Sequence, residues 1–188
     1  MSPVNLDRIQ SWIDQGRLDP SKPITMKELN DSRCLHGVKD GVKLLARGAQ
    51  ELRTPINVIV SRASTAAISA IEAAGGSVTT RFYTPFSIRR VLKGLSDPIV
   101  SLGSSDANAS AQTGDQSKPF PYRLPDPTSR KDMEYYRDPA HRGYLSHLVP
   151  DGHGPSLFFK TPGTSRAPSK KSWGSAGSGA AKGENKLW

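Results

Sequence analysis

Apolar residues at the start of the chain recur at helical spacing. Leu6, Ile9 and Ile13 fall on one face of a predicted helix, which we expect Asn5 to cap and Gly16 to end. Because one face of this helix is apolar and the other polar, we expect it to pack against a core through a single side.

A second helix is predicted to begin at Thr25. Thr25 and Glu28 have the spacing of a capping box, and Ile24 and Leu29 have the spacing of a hydrophobic staple. Residues 41–48 then form a short apolar run with a glycine at each end, which predicts a strand.

The most regular pattern lies between residues 56 and 83. Two β-branched runs, residues 56–60 and 77–83, predict strands on either side of a helix. Ser64 is the expected N-cap of this helix, and Gly75 supplies the left-handed position that ends it. Its narrow stripe of small and apolar residues, which would let it sit close to a sheet, consists of Ala67, Ile68, Ile71 and Ala74.

The pattern changes after a last short helix, which we expect Ser87 to cap. We therefore divide the chain into an α/β domain of irregular β-β-α units (1–95) and a long, irregular, partly disordered C-terminal extension. The extension comprises a polar linker (96–118), a segment rich in proline and aromatic residues (119–160) and a basic Gly/Ser/Lys tail (161–188). The aromatic segment is expected to lie along another surface.

Charge follows the same division. The chain of 188 residues has a formal net charge of +9, of which residues 1–93 carry +6, residues 94–159 carry −2 and residues 160–188 carry +5. A basic balance favours polyanionic partners, with nucleic acid the commonest and an anionic membrane surface the alternative. We infer nucleic-acid contact at both ends and protein contact through the middle.

The sequence offers little catalytic chemistry. No phosphate-binding G-x-x-x-x-G-K-[ST] loop and no G-x-S-x-G nucleophile elbow occurs, and the paired glycines follow a helix, whereas a dinucleotide site needs them before one. The single cysteine, Cys34, excludes a disulfide framework and is interpreted as a buried apolar residue. We expect no enzyme activity, no small-molecule substrate, no cofactor, no metal and no membrane span.

Ser64, Ala67, Ile71, Glu72, Gly75 and Gly76 carry a pattern of a serine-capped helix followed by Ile-Glu and a Gly-Gly stop. In this order, and with the preceding runs at residues 41–48 and 55–58, the pattern resembles the large-subunit ribosomal protein fifteen family. Residues 5–20 resemble its fungal-type mitochondrial branch. The resemblance covers residues 4–90 and implies a structural protein of the mitochondrial ribosome in the matrix. Its partners would be large-subunit ribosomal RNA and neighbouring ribosomal proteins.

One feature of the family is missing from this sequence. Family members normally begin with a long Gly/Arg/Lys-rich arm that enters ribosomal RNA, and nothing like it precedes Asn5. Contacts made by such an arm are therefore not assigned, and we expect any import segment to lie outside this sequence.

The RNA-binding hypothesis selects cations that could neutralise phosphates and one helix N-terminus that could hold an anion. Arg can donate two hydrogen bonds to one phosphate, whereas Lys acts as a point charge. The candidates are Lys39, Lys43, Arg47, Arg62, Ser64, Arg81, Arg89, Arg90, Lys93, Lys170 and Lys171.

Three alternatives stay open. The Ser64 hydroxyl could satisfy its helix terminus without a phosphate. The tyrosines Tyr135, Tyr136 and Tyr144, with Phe158 and Phe159, could stack on unpaired bases, or could pack on protein. A non-ribosomal RNA-binding or ribosome-assembly protein would share the same charge pattern.

Overall fold

The computed structural model describes residues 1–101, 122–150 and 152–157. Helices and small parallel sheets alternate along this part of the chain, which confirms the α/β class. The strands are β1 (Ser2–Asn5), β2 (Val42–Leu45), β3 (Asn57–Val60), β4 (Arg62–Ala63) and β5 (Ser77–Thr80). The helices are α1 (Leu6–Asp14), α2 (Met26–Asp31), α3 (Thr65–Ala73), α4 (Pro85–Leu92) and α5 (Arg130–Arg137).

The first sheet has the strand order β1-β2-β4, and all of its pairings are parallel. β2 lies in the middle, and its alternation places Val42 and Leu44 in the core and Lys43 in solvent. β1 was not predicted from the sequence, because only Val4 of its four residues is buried and Pro3 weakens a strand pattern.

The second sheet pairs β3 with β5 in parallel, with Val58 opposite Val78. Two isolated bridges extend it on either side, from Ile24 to Val58 and from Thr80 to Gly143. β3, β4 and α3 follow one another as a β-β-α unit, and the chain returns to the sheet through β5.

Helix caps agree with the sequence at α1, α2 and α3. Asn5 is the N-cap residue of α1, although its side chain makes no capping hydrogen bond. Thr25 and Glu28 form the predicted capping box of α2. The Ser64 hydroxyl accepts a hydrogen bond from the Ala67 amide at 3.3 Å, and Gly75 adopts φ +82°.

The predicted cap of the last domain helix is wrong. Thr84, not Ser87, is the N-cap of α4, and the Thr84 hydroxyl accepts a hydrogen bond from the Ser87 amide at 3.2 Å. Pro85 occupies the first helical position, where its fixed φ suits the helix and its missing N–H costs nothing. Ser87 therefore lies inside the helix and is buried.

One hydrophobic core joins the two sheets and the first four helices. Among its fully buried side chains are Leu6, Ile9, Ile24, Met26, Leu29, Leu44, Ile56, Ile71 and Ile88. Gly76 is needed at the edge of this core, because a Cβ on it would lie 2.2 Å from the Ile56 carbonyl oxygen and 2.8 Å from Ile71 Cγ2. Cys34 is buried, and burial raises the pKa of its thiol.

The described part of the extension, residues 122–150 and 152–157, lies against this domain. Leu124, Tyr136 and Leu145 are each at most 2% exposed. The Tyr136 hydroxyl donates a hydrogen bond of 2.9 Å to the Ser61 carbonyl, and the Thr80 amide donates one of 2.9 Å to the Arg142 carbonyl. The part of the extension that the structure describes is thus held by both side chains and backbone.

α5 was not predicted from the sequence. Its eight residues include five charged ones, and only Tyr136 is buried. Because a single buried side chain leaves no apolar stripe for sequence analysis to detect, the helix is apparent only from its packing. The predicted boundaries at residues 95, 118 and 160 stay predictions.

Candidate nucleic-acid interface

Two candidate cations, Lys43 and Arg62, are neighbours on the outer face of the first sheet. Lys43 of β2 is the register partner of Arg62 in β4. Side chains of such partners point to the same side of a sheet, and here the residues that follow, Leu44 and Ala63, point into the core. The sheet therefore presents two positive charges to solvent at adjacent strand positions.

The extension covers part of this face. The Arg62 Nη2 donates a hydrogen bond of 2.8 Å to Asp132 Oδ1, and the Arg62 guanidinium lies 4.8 Å from the centroid of the Tyr135 ring. The Tyr135 hydroxyl lies 3.3 Å from both the amide nitrogen and the carbonyl oxygen of Ala63. A carboxylate thus occupies part of the hydrogen-bonding capacity of Arg62, whose side chain is still 37% exposed.

The N-terminus of α3 has the serine cap that the sequence analysis offered as the alternative to a bound phosphate. Because Ser64 already accepts from the Ala67 amide, one of the free N–H groups of that terminus is satisfied internally. An anion at this position stays a prediction.

Arg81 is not part of the exposed cationic surface. Only 3% of the residue is accessible, and its guanidinium lies 4.5 Å from the centroid of the Tyr144 ring. The Tyr144 hydroxyl in turn donates a hydrogen bond of 2.5 Å to Asp126. Burial lowers the pKa of Arg81, and its Nε and Nη2 have no hydrogen-bond partner among the described residues. As placed, Arg81 cannot reach a phosphate.

α4 carries the densest group of candidate cations. Arg89 and Lys93 are exposed, while Arg90 is half-buried and donates from Nε to the Ser96 hydroxyl at 2.9 Å. None of these three forms an ion pair within the part of the chain that the structure describes. Their charges are therefore available to a polyanion.

Two aromatic residues beside these cations, Phe86 and Tyr122, were not among the predicted site residues. Phe86 is 55% exposed, and Tyr122 lies against it with ring centroids 6.0 Å apart. Phe86 falls off the apolar stripe formed by Ile88 and Val91, so helical spacing alone could have marked it as exposed. No local sequence pattern predicts that Tyr122 lies against α4.

The remaining candidates are dispersed. Lys39 is exposed near the chain start, beside a cleft lined by Ser2 and His36. Arg47 is exposed and pairs with Asp7 at 3.2 Å. Lys170 and Lys171, like Phe158 and Phe159, lie outside the described residues.

Within residues 1–101, 122–150 and 152–157, no group of three or more His, Cys, Asp or Glu side chains is placed to hold a metal ion. No helix in the described part of the chain is long and apolar enough to cross a membrane.

Comparison with known proteins identifies the family. Residues 3–79 match the family described as ribosomal proteins 50S-L15 and 50S-L18e together with their 60S counterpart. The chain is 51% identical over 166 residues to the large ribosomal subunit protein uL15m of Neurospora crassa, covering 86% of this chain and 53% of that protein. It is 41% identical over 145 residues to uL15m of Schizosaccharomyces pombe, covering 77% and 49%. A bacterial uL15, from a Methylobacterium species, is 47% identical over 79 residues, covering 42% and 48%.

These matches place the chain in the class of large-subunit ribosomal proteins. Within it, the chain belongs to the uL15 family, in the fungal mitochondrial branch whose members are named uL15m. The chain spans about half the length of the curated relatives it matches.

The family match ends at residue 79, immediately before the part of the chain that forms α4 and α5. A match covering 86% of the 188 residues must extend through both helices wherever it begins. The similarity to the Neurospora protein therefore includes the extension that packs on Arg62 and on Ser61, beyond the residues that define the family.

Proposed function

We propose that this protein is a structural constituent of the large subunit of the mitochondrial ribosome and acts in the mitochondrial matrix. The observation that carries the proposal is the 51% identity over 166 residues to a uL15m protein. In this role the protein binds large-subunit ribosomal RNA and neighbouring ribosomal proteins, and it makes or breaks no covalent bond.

RNA contact is proposed for the members of the predicted set that are at least partly exposed or that lie in the basic tail. These are Lys39, Lys43, Arg47, Arg62, Arg89, Arg90 and Lys93, joined by Lys170 and Lys171 of the tail. Each cation that meets a phosphate releases counterions, so many modest contacts together give a strong, salt-dependent association. Arg81 is left out because its guanidinium is buried. Because the Ser64 hydroxyl is engaged as a cap, an anion at this position would bind through the remaining free N–H groups of the α3 N-terminus.

Protein contact is proposed for the outer side of residues 122–157. This segment packs Tyr135, Tyr136 and Tyr144 on its own domain, and two leucines of its described part, Leu148 and Leu157, are exposed at 53% and 46%. Exposed apolar side chains beside a polar rim are typical of protein interfaces.

The test is co-sedimentation of the tagged, full-length protein with mitochondrial ribosomes. A structural constituent stays with mature large subunits through a high-salt wash, because its contacts are numerous and largely buried. Salt-sensitive association with immature particles alone would instead identify a ribosome-assembly protein and would overturn the proposal.

A further inference from the structure

We propose that Phe86, Tyr122 and Arg90, which we call the α4 platform, bind an unpaired base of RNA by stacking. This inference rests on the proposed RNA-binding function and adds a recognition mode that phosphate contacts do not supply. Stacking on a protein side chain requires a π-face that solvent can reach, and the platform has one in Phe86, which is 55% exposed.

The platform groups three π-systems on one face of α4, because Phe86 and Arg90 are four residues apart. The rings of Phe86 and Tyr122 have centroids 6.0 Å apart and an interplanar angle of 67°. The Arg90 guanidinium lies 4.4 Å from the centroid of the Tyr122 ring and 5.9 Å from that of Phe86. A planar base can therefore gain dispersion and cation–π contacts in one place.

The platform is held in place before any ligand binds. The Tyr122 hydroxyl lies 3.1 Å from the hydroxyl of Ser87, which is fully buried in α4. Arg90 is fixed by its 2.9 Å hydrogen bond to Ser96. Because these side chains are ordered in advance, binding loses less conformational entropy than it would on mobile side chains.

Charge complementarity favours a nucleic acid as the occupant. Arg89 is exposed on the same helix, Lys93 is exposed at its C-cap, and α4 contains no acidic residue. An apolar protein surface that covered Phe86 would also desolvate these cations without supplying a counter-charge, which is costly. A nucleotide supplies a base for the aromatic rings and a phosphate for the cations.

The experiment uses the full chain and two probes of equal length and charge. One is a single-stranded RNA of mixed sequence without self-complementarity, and the other is its abasic ribose-phosphate equivalent. We expect the wild-type protein to bind the RNA about five- to 150-fold more tightly than the abasic probe, as stacking of one base predicts.

Phe86→Leu keeps an apolar side chain and removes the ring, so it should lose most of this difference while leaving affinity for the abasic probe unchanged. Phe86→Trp should retain the difference, and its added indole fluorescence should be quenched by the RNA and not by the abasic probe. Leu95→Ala, which changes an exposed apolar residue just after α4 that lies outside every proposed contact set, serves as the control and should match the wild type. Circular dichroism confirms that each variant is folded.

Two results would overturn the inference. Equal binding of both probes by a wild-type protein that still binds large-subunit ribosomal RNA would show that the platform stacks on no base. The same conclusion follows if Phe86→Leu keeps the full preference for the RNA. Failure to bind ribosomal RNA at all would instead contradict the proposed function itself.

Discussion

The guanidinium of Arg62 in β4 donates a hydrogen bond of 2.8 Å to the carboxylate of Asp132 in α5, across 70 residues of sequence. This contact joins the family-matched part of the chain to the extension. It also places a carboxylate where the sequence analysis expected a phosphate, so Arg62 contributes to packing whether or not RNA is bound.

The Arg62–Asp132 pair is predicted to contribute measurably to folding. The two side chains are 37% and 30% exposed, and the Tyr135 ring lies beside the guanidinium, so water screens the pair only in part. A double-mutant cycle with Arg62→Met and Asp132→Asn, measured by urea unfolding, should give a coupling free energy of about 0.5–1 kcal/mol.

The Arg47–Asp7 pair provides the matched control for this cycle. Its nitrogen–oxygen distance is 3.2 Å, but the Arg47 side chain is 78% exposed, so its coupling should be close to zero. Equal coupling in the two cycles would contradict the view that the docked extension strengthens the contact of Arg62.

Local sequence signals account for much of the fold. The capping box at Thr25 and the serine cap at Ser64 depend on side chains within three residues of the helix start, so local sequence patterns predict them. The error at α4 has the same local origin, because Pro85 at the first helical position should have placed the cap at Thr84.

Long-range packing accounts for what sequence analysis missed. β1 becomes a strand because β2 is available beside it, and α5 because Tyr136 fits against Ser61. The burial of Arg81 beneath Tyr144 joins residues 63 positions apart, and the position of Tyr122 beside Phe86 joins residues 36 apart. No periodicity in the sequence encodes either contact.

Alanine substitutions at two adjacent glycines, Gly75 and Gly76, are predicted to destabilise the protein for different reasons. Gly76→Ala should reduce the free energy of unfolding by about 3 kcal/mol or more, because the added Cβ would overlap the Ile56 carbonyl. Gly75→Ala meets no atom closer than 3.9 Å and should cost only the roughly 1–2 kcal/mol of a left-handed alanine. Thermal or urea unfolding of both variants measures the difference, and a more severe loss at Gly75 would refute the steric argument.

Ionisation of Tyr136 is predicted to lower the free energy of unfolding at alkaline pH. Burial raises the pKa of its hydroxyl from 10 to about 12. Between these values the unfolded chain releases the phenol proton and the folded chain keeps it. The contribution of Tyr136 to the free energy of unfolding is therefore fully present below pH 10 and is lost as pH rises toward 12. The group contributes a loss approaching about 1.4 kcal/mol per pH unit within this window.

Tyr136→Phe isolates this effect from other titrating groups. The variant should be less stable than wild type at pH 9, since it loses the hydrogen bond to the Ser61 carbonyl. The deficit should shrink between pH 10 and 12, because only the wild-type tyrosine is penalised by ionisation. Urea unfolding at several pH values tests this, and a constant deficit would show that Tyr136 ionises as readily in the folded protein as in the unfolded chain.

Lys43 is predicted to contribute to RNA affinity through charge alone. It is exposed on the outer face of β2, and it forms no ion pair in the part of the chain that the structure describes. Lys43→Gln should reduce the slope of log K against log salt concentration by about 0.7–0.9, the value for one phosphate contact. Binding of the full chain to large-subunit ribosomal RNA, titrated at several salt concentrations, measures this slope.

Lys22 and Arg81 provide two controls for the salt titration, one for a surface charge and one for a buried charge. Lys22→Gln is the control for a lost surface charge, because Lys22 lies 3.8 Å from Asp19 and outside the proposed contact set. Arg81→Gln should lower stability without changing the slope, because the buried guanidinium releases no counterion. A reduced slope for Arg81→Gln, with none for Lys43→Gln, would show that RNA binding displaces the extension and uses the surface beneath it.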